Sequence, residues 1–242
     1  MSDAGRPRLW SLDIARTVLL VAMASFHLTV DLEMAGLIGP TSMTPPWQLY
    51  ARLIAGSFLF AAGFSLWLAH GRGIRARSAA IRIAQIAAGA LAVSVATRLA
   101  VPGAWVFFGI LHLIAVGSLL SLACLRLPFW LTALAGAAVL AAPRFVILPL
   151  LDTPWGMWTG LGWVIPRSVD FVPLFPWWGM MLLGLAKAQA VTRFGRMPVG
   201  RPAASVPRWQ RWLAWPGQHG LAVYLIHQPV LFGLVQAWAA LR

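Results

Sequence analysis

Arg16, His27 and Asp31 follow one another at intervals of eleven and four residues. In an α-helix these steps are close to three turns and one turn, so the three side chains share a face, with Arg16 and His27 about 16 Å apart along the axis. The residues between them are apolar enough for a membrane span. Inside a span an ionisable group costs at least a few kcal/mol unless it meets a partner or a wet cavity. One stripe therefore carries a cation at the cytoplasmic mouth, an imidazole well inside the membrane and a carboxylate nearer the outer surface. That set suits a reaction bridging two compartments: Arg16 to hold phosphate groups, His27 to take a proton from an acceptor, and Asp31 to fix the imidazole's tautomer. It also suits plain architecture, with His27 and Asp31 bonding a neighbouring helix and Arg16 as a positive anchor. Spacing alone does not separate the two.

Other polar residues fall where lipid is expected. His112 follows Gly109 by one turn and is placed about two turns into a span, either for chemistry or for helix packing. His227 and Gln228 precede Pro229, whose ring removes a backbone donor and leaves a carbonyl unbonded one turn earlier, a polar kink suited to binding or to architecture. Arg52, Arg98, Asp152, Arg167 and Asp170 gather at predicted outer positions and either ring a pocket or pair among themselves. His70 and His219 read as interfacial. Cys124, the single cysteine, has no evident activating base. No metal-ligand spacing, HExxH, CxxC, glycine-rich phosphate loop or GxSxG elbow occurs, so no metal is expected.

These residues must be positioned by membrane helices. The 242-residue chain is 60% hydrophobic and 10% charged, with a mean hydropathy of +0.77, which excludes a large soluble domain. About seven spans are expected in an all-α, polytopic bundle forming one domain over residues 1–242. They run over about 16–33, 49–70, 83–101, 105–125, 129–151, 172–190 and 221–241. Residues 36–47 form a proline-rich turn region, and Arg208 to Trp212 read as a short helix lying on the membrane surface. The net charge of +13 would suggest nucleic acid in a soluble chain. Here it reports orientation: with the N-terminus in the cytoplasm, fourteen basic residues, including Arg6, Arg8, Arg16, Arg72, Arg75, Arg77 and Arg82, fall inside and five, including Arg242, outside. Asp3 and Asp13 fall inside and the other four acids outside. The C-terminus is then outside, and no nucleic-acid partner is expected.

Leu12-Asp13-Ile14-Ala15-Arg16, His27, Asp31-Leu32, and Ile54 to Ser65 with the sequence IAGSFLFAAGFS resemble the opening of bacterial proteins related to the heparan-alpha-glucosaminide N-acetyltransferase catalytic domain. Phe108-Gly109-Ile110-Leu111-His112, Val172-Pro173-Leu174-Phe175-Pro176-Trp177 and Tyr224-Leu225-Ile226-His227-Gln228-Pro229 continue the resemblance over nearly the whole chain. The spacing from Arg16 to His27 is also similar to the first-helix motif of acyltransferase-3 membrane proteins. Two departures stand out. Thr17 replaces the glycine that often follows the first-helix arginine. Animal relatives place a catalytic histidine in the loop after that helix, and residues 36–47 contain none.

The resemblance implies transfer of an acetyl or other acyl group from cytoplasmic acyl-CoA to a sugar-like acceptor at the outer side of a bacterial inner membrane. On that reading His27 is the general base, Asp31 orients it and His112 assists or polarises the thioester carbonyl. Arg16, Trp177, His227 and Gln228 contact the donor, and Arg52, Arg98 and Asp170 the acceptor. The bilayer, acyl-CoA and a carbohydrate-like acceptor are the expected partners, with a homodimer as an option. A transporter relaying protons through midplane histidines, or a non-catalytic partner of a glycan-modifying enzyme, would use the same residues differently.

Overall fold

A computed structural model describes residues 8–241; Asp3, Arg6 and Arg242, counted in the charge asymmetry, lie outside the described residues. Eight α-helices follow in order: α1 (Trp10–Met34), α2 (Pro45–His70), α3 (Ala76–Ala100), α4 (Ile110–Cys124), α5 (Phe129–Ala141), α6 (Leu174–Arg193), α7 (Arg208–Gln218) and α8 (Gly220–Ala240). Among the described residues the one β-type pairing is an isolated antiparallel bridge between Arg8 and Arg201. The protein is a helical membrane protein in which α1, α2, α3 and α8 are each long and apolar enough to cross a bilayer.

The fourth and fifth apolar runs form shorter helices than the sequence predicts. At 15 and 13 residues, α4 and α5 are about 22 and 20 Å long, less than the roughly 30 Å hydrocarbon core. Side chains of α3 delay the start of α4. Ser94 Oγ donates to the Val106 carbonyl at 2.6 Å, and the Val106 N–H donates to Thr97 Oγ1 at 2.9 Å, so residues 105–109 stay out of the helix. Two single-turn 3-10 segments, Ala142–Arg144 and Pro149–Leu151, each with a proline in their first turn, follow α5 where a continuous span to Leu151 was expected.

The chain divides into two compact units: residues up to Phe58 together with those from Pro198 onward, and Leu59–Met197. In the first, α1 packs on α7 and α8. Trp10, Val206 and Ala214 form one cluster, and Leu20, Met23 and Ile54 another with Tyr50, Phe58, Val223 and Tyr224. Helix α7 presents Trp209, Trp212 and Trp215, all more than half exposed, beside Arg208 and Arg211, the amphipathic pattern expected of a surface helix.

Glycines set the approach of the helices in the second unit. A Cβ on Gly184 would lie 2.0 Å from the Phe60 carbonyl oxygen, and one on Gly63 would lie 1.8 Å from that of Met181. The last part of α2 and α6 thus touch backbone to backbone. Gly136 and Gly179 do the same for α5 and α6. Leu125, Val139, Leu182 and Leu185 fill the core beside them.

Candidate active site

Helix α1 meets α8 through polar side chains in the first unit. Asp31, fully buried, accepts a 2.9 Å hydrogen bond on Oδ1 from Gln228 Nε2. One turn toward the N-terminus of α1, the imidazole of His27 stands edge-on to that of His227, with ring centroids 5.2 Å apart and planes at 84°. Gln228 therefore ties α8 to Asp31 one turn away from the His27–His227 ring pair.

His227 has a defined tautomer. Its Nδ1 lies 2.6 Å from the Tyr224 carbonyl oxygen, an acceptor, so the ring proton sits on Nδ1 and Nε2 carries a lone pair. That Nε2 is buried without a hydrogen-bond partner, as are Asp31 Oδ2 and Gln228 Oε1. Buried polar atoms are almost always paired, because an unpaired one costs about 1–3 kcal/mol. Three within one crossing mark a place built to meet another molecule's donors.

Toward the start of α1, Arg16 lies 3.2 Å from Asp13 Oδ1. Thr17 Oγ1 donates to the Asp13 carbonyl and accepts the Gly217 N–H at 2.9 Å. Gly217 is required there: a Cβ would fall 1.9 Å from the Asp13 carbonyl oxygen. Thr17 thus fastens α7 to α1. Gly217 was not singled out in the sequence, where its only signal is the Pro216-Gly217 pair, and Asp13 and Thr17 were noted there for charge and motif but not for this contact.

His112 sits in the other unit and has a different setting. Gly109 is the N-cap of α4, so His112 lies in the first turn, one turn earlier in its helix than the sequence suggested. Its Nδ1 accepts the Gly109 N–H at 3.2 Å, leaving the ring proton on Nε2, which is 3.2 Å from Ser94 Oγ. Ser94 in turn donates to Val106, so the chain of donors closes on backbone. Asp170 Oδ2 accepts the Ile110 N–H at 3.1 Å, and a Cβ on Gly109 would come within 2.2 Å of that oxygen. Burial pushes the Asp170 carboxyl up to about 6, opposed by the Ile110 hydrogen bond. Pairing of Val169 with Ala104 and of Val172 with Phe108 holds Asp170 at the start of α4.

The other sequence candidates disperse. Asp152 Oδ1 accepts the Val164 N–H at 2.9 Å, and among the described residues neither it nor Asp170 forms an ion pair with Arg98 or Arg167. Arg52 is exposed on α2, as Arg98 is near the end of α3. Trp177 is half-buried in α6, just after the cis Phe175-Pro176 peptide, while its neighbour Trp178 donates to Ser121 Oγ at 3.0 Å. Among the described residues no cluster of histidine, cysteine and acidic residues has the makings of a metal site.

Residues 8–229 match the family model described as heparan-alpha-glucosaminide N-acetyltransferase, catalytic. No curated protein and no solved structure gives a significant match.

Proposed function

From the chain's membership of the heparan-alpha-glucosaminide N-acetyltransferase catalytic family, we propose that it is an integral membrane acyltransferase, with His27, His227, Gln228 and Asp31 at its reacting centre. The observation that carries the reading is the set of unpartnered buried atoms on Asp31, His227 and Gln228 around the His27 ring. The proposed donor is an acyl-CoA, acetyl-CoA in the first instance, from the cytoplasm; the acceptor is a sugar-like hydroxyl or amine on the outer side of a bacterial inner membrane, with the N-terminus inside.

His27 removes the proton as the acceptor oxygen or nitrogen attacks the thioester carbonyl. The new C–O or C–N bond forms, the C–S bond breaks, and the proton passes from His27 to the departing CoA sulfur. A thioester is reactive enough for this direct route, without an acyl-enzyme. His227 Nε2 accepts a hydrogen bond from the acceptor and orients it. Asp31 holds the carboxamide of Gln228 in place. Arg16, steadied by Asp13, faces donor phosphates. His112 is assigned to positioning: its Nδ1 is committed to the Gly109 N–H at the start of α4 and its Nε2 to Ser94 Oγ on α3.

The test is transfer of radiolabel from acetyl-CoA by the purified protein in liposomes. Wild type is expected to consume acetyl-CoA, and His27→Ala is expected to lose at least about a hundredfold of that rate. Absence of CoA binding, together with solute uptake that consumes no acyl donor, would overturn the reading in favour of a transporter.

A further inference from the structure

A trough of about 620 Å³ runs beside the start of α3, lined by Arg75, Arg77, Ser78, Ile81, Arg82 and Gln85. Arg72, just upstream, makes four arginines within eleven residues. All four are exposed. Arg75 is fixed in place: its backbone N–H donates to His70 Nδ1 at 3.3 Å and its Nη2 to the Ala69 carbonyl at 3.1 Å. The sequence holds no Asp or Glu from Met34 to Leu151, and among the described residues none of the four arginines has a carboxylate partner. Three arginines therefore line one trough that, among the described residues, has no carboxylate beside it.

Below the trough the same helix turns apolar. Ile81, Ala84, Ala88, Leu91, Val95 and Leu99 recur at steps of three and four, so they form one stripe along α3, and all six are exposed. Ile81 belongs to both trough and stripe. The opposite face carries the buried Ala79, Ile86, Gly89, Ala90 and Ser94. A free phosphate would use only the arginines, and lipid chains alone only the stripe. A phosphodiester joined to two acyl chains uses both at once, with its charge at the interface and its tails along the span.

We propose that the start of α3 is a binding site for an anionic phospholipid, its phosphate held by Arg75, Arg77 and Arg82 and its acyl chains lying on the stripe from Ile81 to Leu99. Guanidinium suits this role because it remains charged and engages phosphate oxygens in a bidentate fashion. Basic clusters at the cytoplasmic end of spans attract anionic headgroups by about 1 kcal/mol per residue, roughly fivefold in affinity each.

The full chain is purified into phosphatidylcholine nanodiscs and titrated with phosphatidylglycerol, following melting temperature and lipid retained in native mass spectrometry. Wild type is expected to retain phosphatidylglycerol and melt several degrees higher. The triple variant Arg75→Gln, Arg77→Gln, Arg82→Gln is expected to bind it at least tenfold more weakly. Arg144→Gln with Arg167→Gln, which removes charge elsewhere, is expected to bind as wild type does. Should the triple variant fail to fold, Arg77→Gln alone is expected to weaken retention about fivefold. Equal loss in the Arg144 and Arg167 variant would reveal diffuse attraction and overturn the site. Equal stabilisation by inorganic phosphate, competitive with the lipid, would overturn it in favour of a soluble anion.

Discussion

Each compact unit has a histidine near a carboxylic acid, and the two settings use their polar atoms differently. Around His112 the donors and acceptors go to backbone: Gly109 N–H, Val106 carbonyl and Ile110 N–H are all answered by side chains. Around His27 the side chains answer one another, and Asp31, His227 and Gln228 each keep one buried atom unanswered. A histidine whose two nitrogens are committed builds structure; a cluster with capacity left over can bind and react. Residue type and membrane depth did not distinguish these cases, because both histidines lie in apolar runs beside motif residues.

The sharpest way to break this contrast is to delete each imidazole. His27→Ala is expected to remove at least about a hundredfold of acyl transfer while leaving the melting temperature within a few degrees. His112→Ala is expected to cost about 1–3 kcal/mol of stability by stranding Gly109 N–H and Ser94, seen as a lower melting temperature. A catalytic loss with unchanged stability in His112→Ala, and the reverse in His27→Ala, would invert the assignment.

Gly109→Ala is expected to destabilise by a few kcal/mol, because its Cβ meets the Asp170 carboxylate at the start of α4. Thermal melts in detergent would show it, and phosphatidylglycerol retention, which depends on the other end of α3, should not change. A smaller loss belongs to the site: His227→Phe keeps a ring beside His27 but removes the Nε2 lone pair, and is expected to slow transfer about tenfold with stability equal to or above wild type, since an unpartnered buried nitrogen disappears. A stability loss without a rate loss would make His227 structural.

The smallest expected effect tests Asp170 by pH. Its carboxyl is pushed from the usual carboxylate range up to about 6, so the folded protein holds this proton more tightly than the unfolded chain. The associated stabilisation is full below about pH 4 and is lost as pH rises to about 6. Melting temperature should therefore show a falling component across that window in wild type and lack it in Asp170→Asn, which can still accept from Ile110.

Much of this was legible in the sequence. Long apolar runs gave α2 and α8 to within four residues at each end and gave α1 and α3 with starts six and seven residues too late, and the stripe from Arg16 through His27 to Asp31 lies on α1. The shortening of α4 was not legible, since it depends on Ser94 and Thr97 reaching Val106 from a neighbouring helix, a tertiary effect with no local signature. For α5, Pro143 and Pro149 were visible, but apolar residues on both sides concealed the break. At the site, Asp31 and Gln228 are 197 residues apart in sequence. The kink at His227-Gln228-Pro229 was visible in the sequence, yet only the packing of α8 on α1 shows that Gln228 bonds to Asp31 and that the rings of His27 and His227 meet.

The bond from Gly217 to Thr17 also works as a depth gauge. Helix α7 carries three exposed tryptophans, the residue type enriched where lipid meets water, and the Gly217 bond to Thr17 fixes α1 against that helix. His27 comes ten residues further along α1, about 15 Å along its axis, a length equal to half of a hydrocarbon layer roughly 30 Å thick. The tether thereby fixes the spacing between the imidazole and the tryptophan-bearing helix, so that whatever level α7 takes up also sets the level of His27.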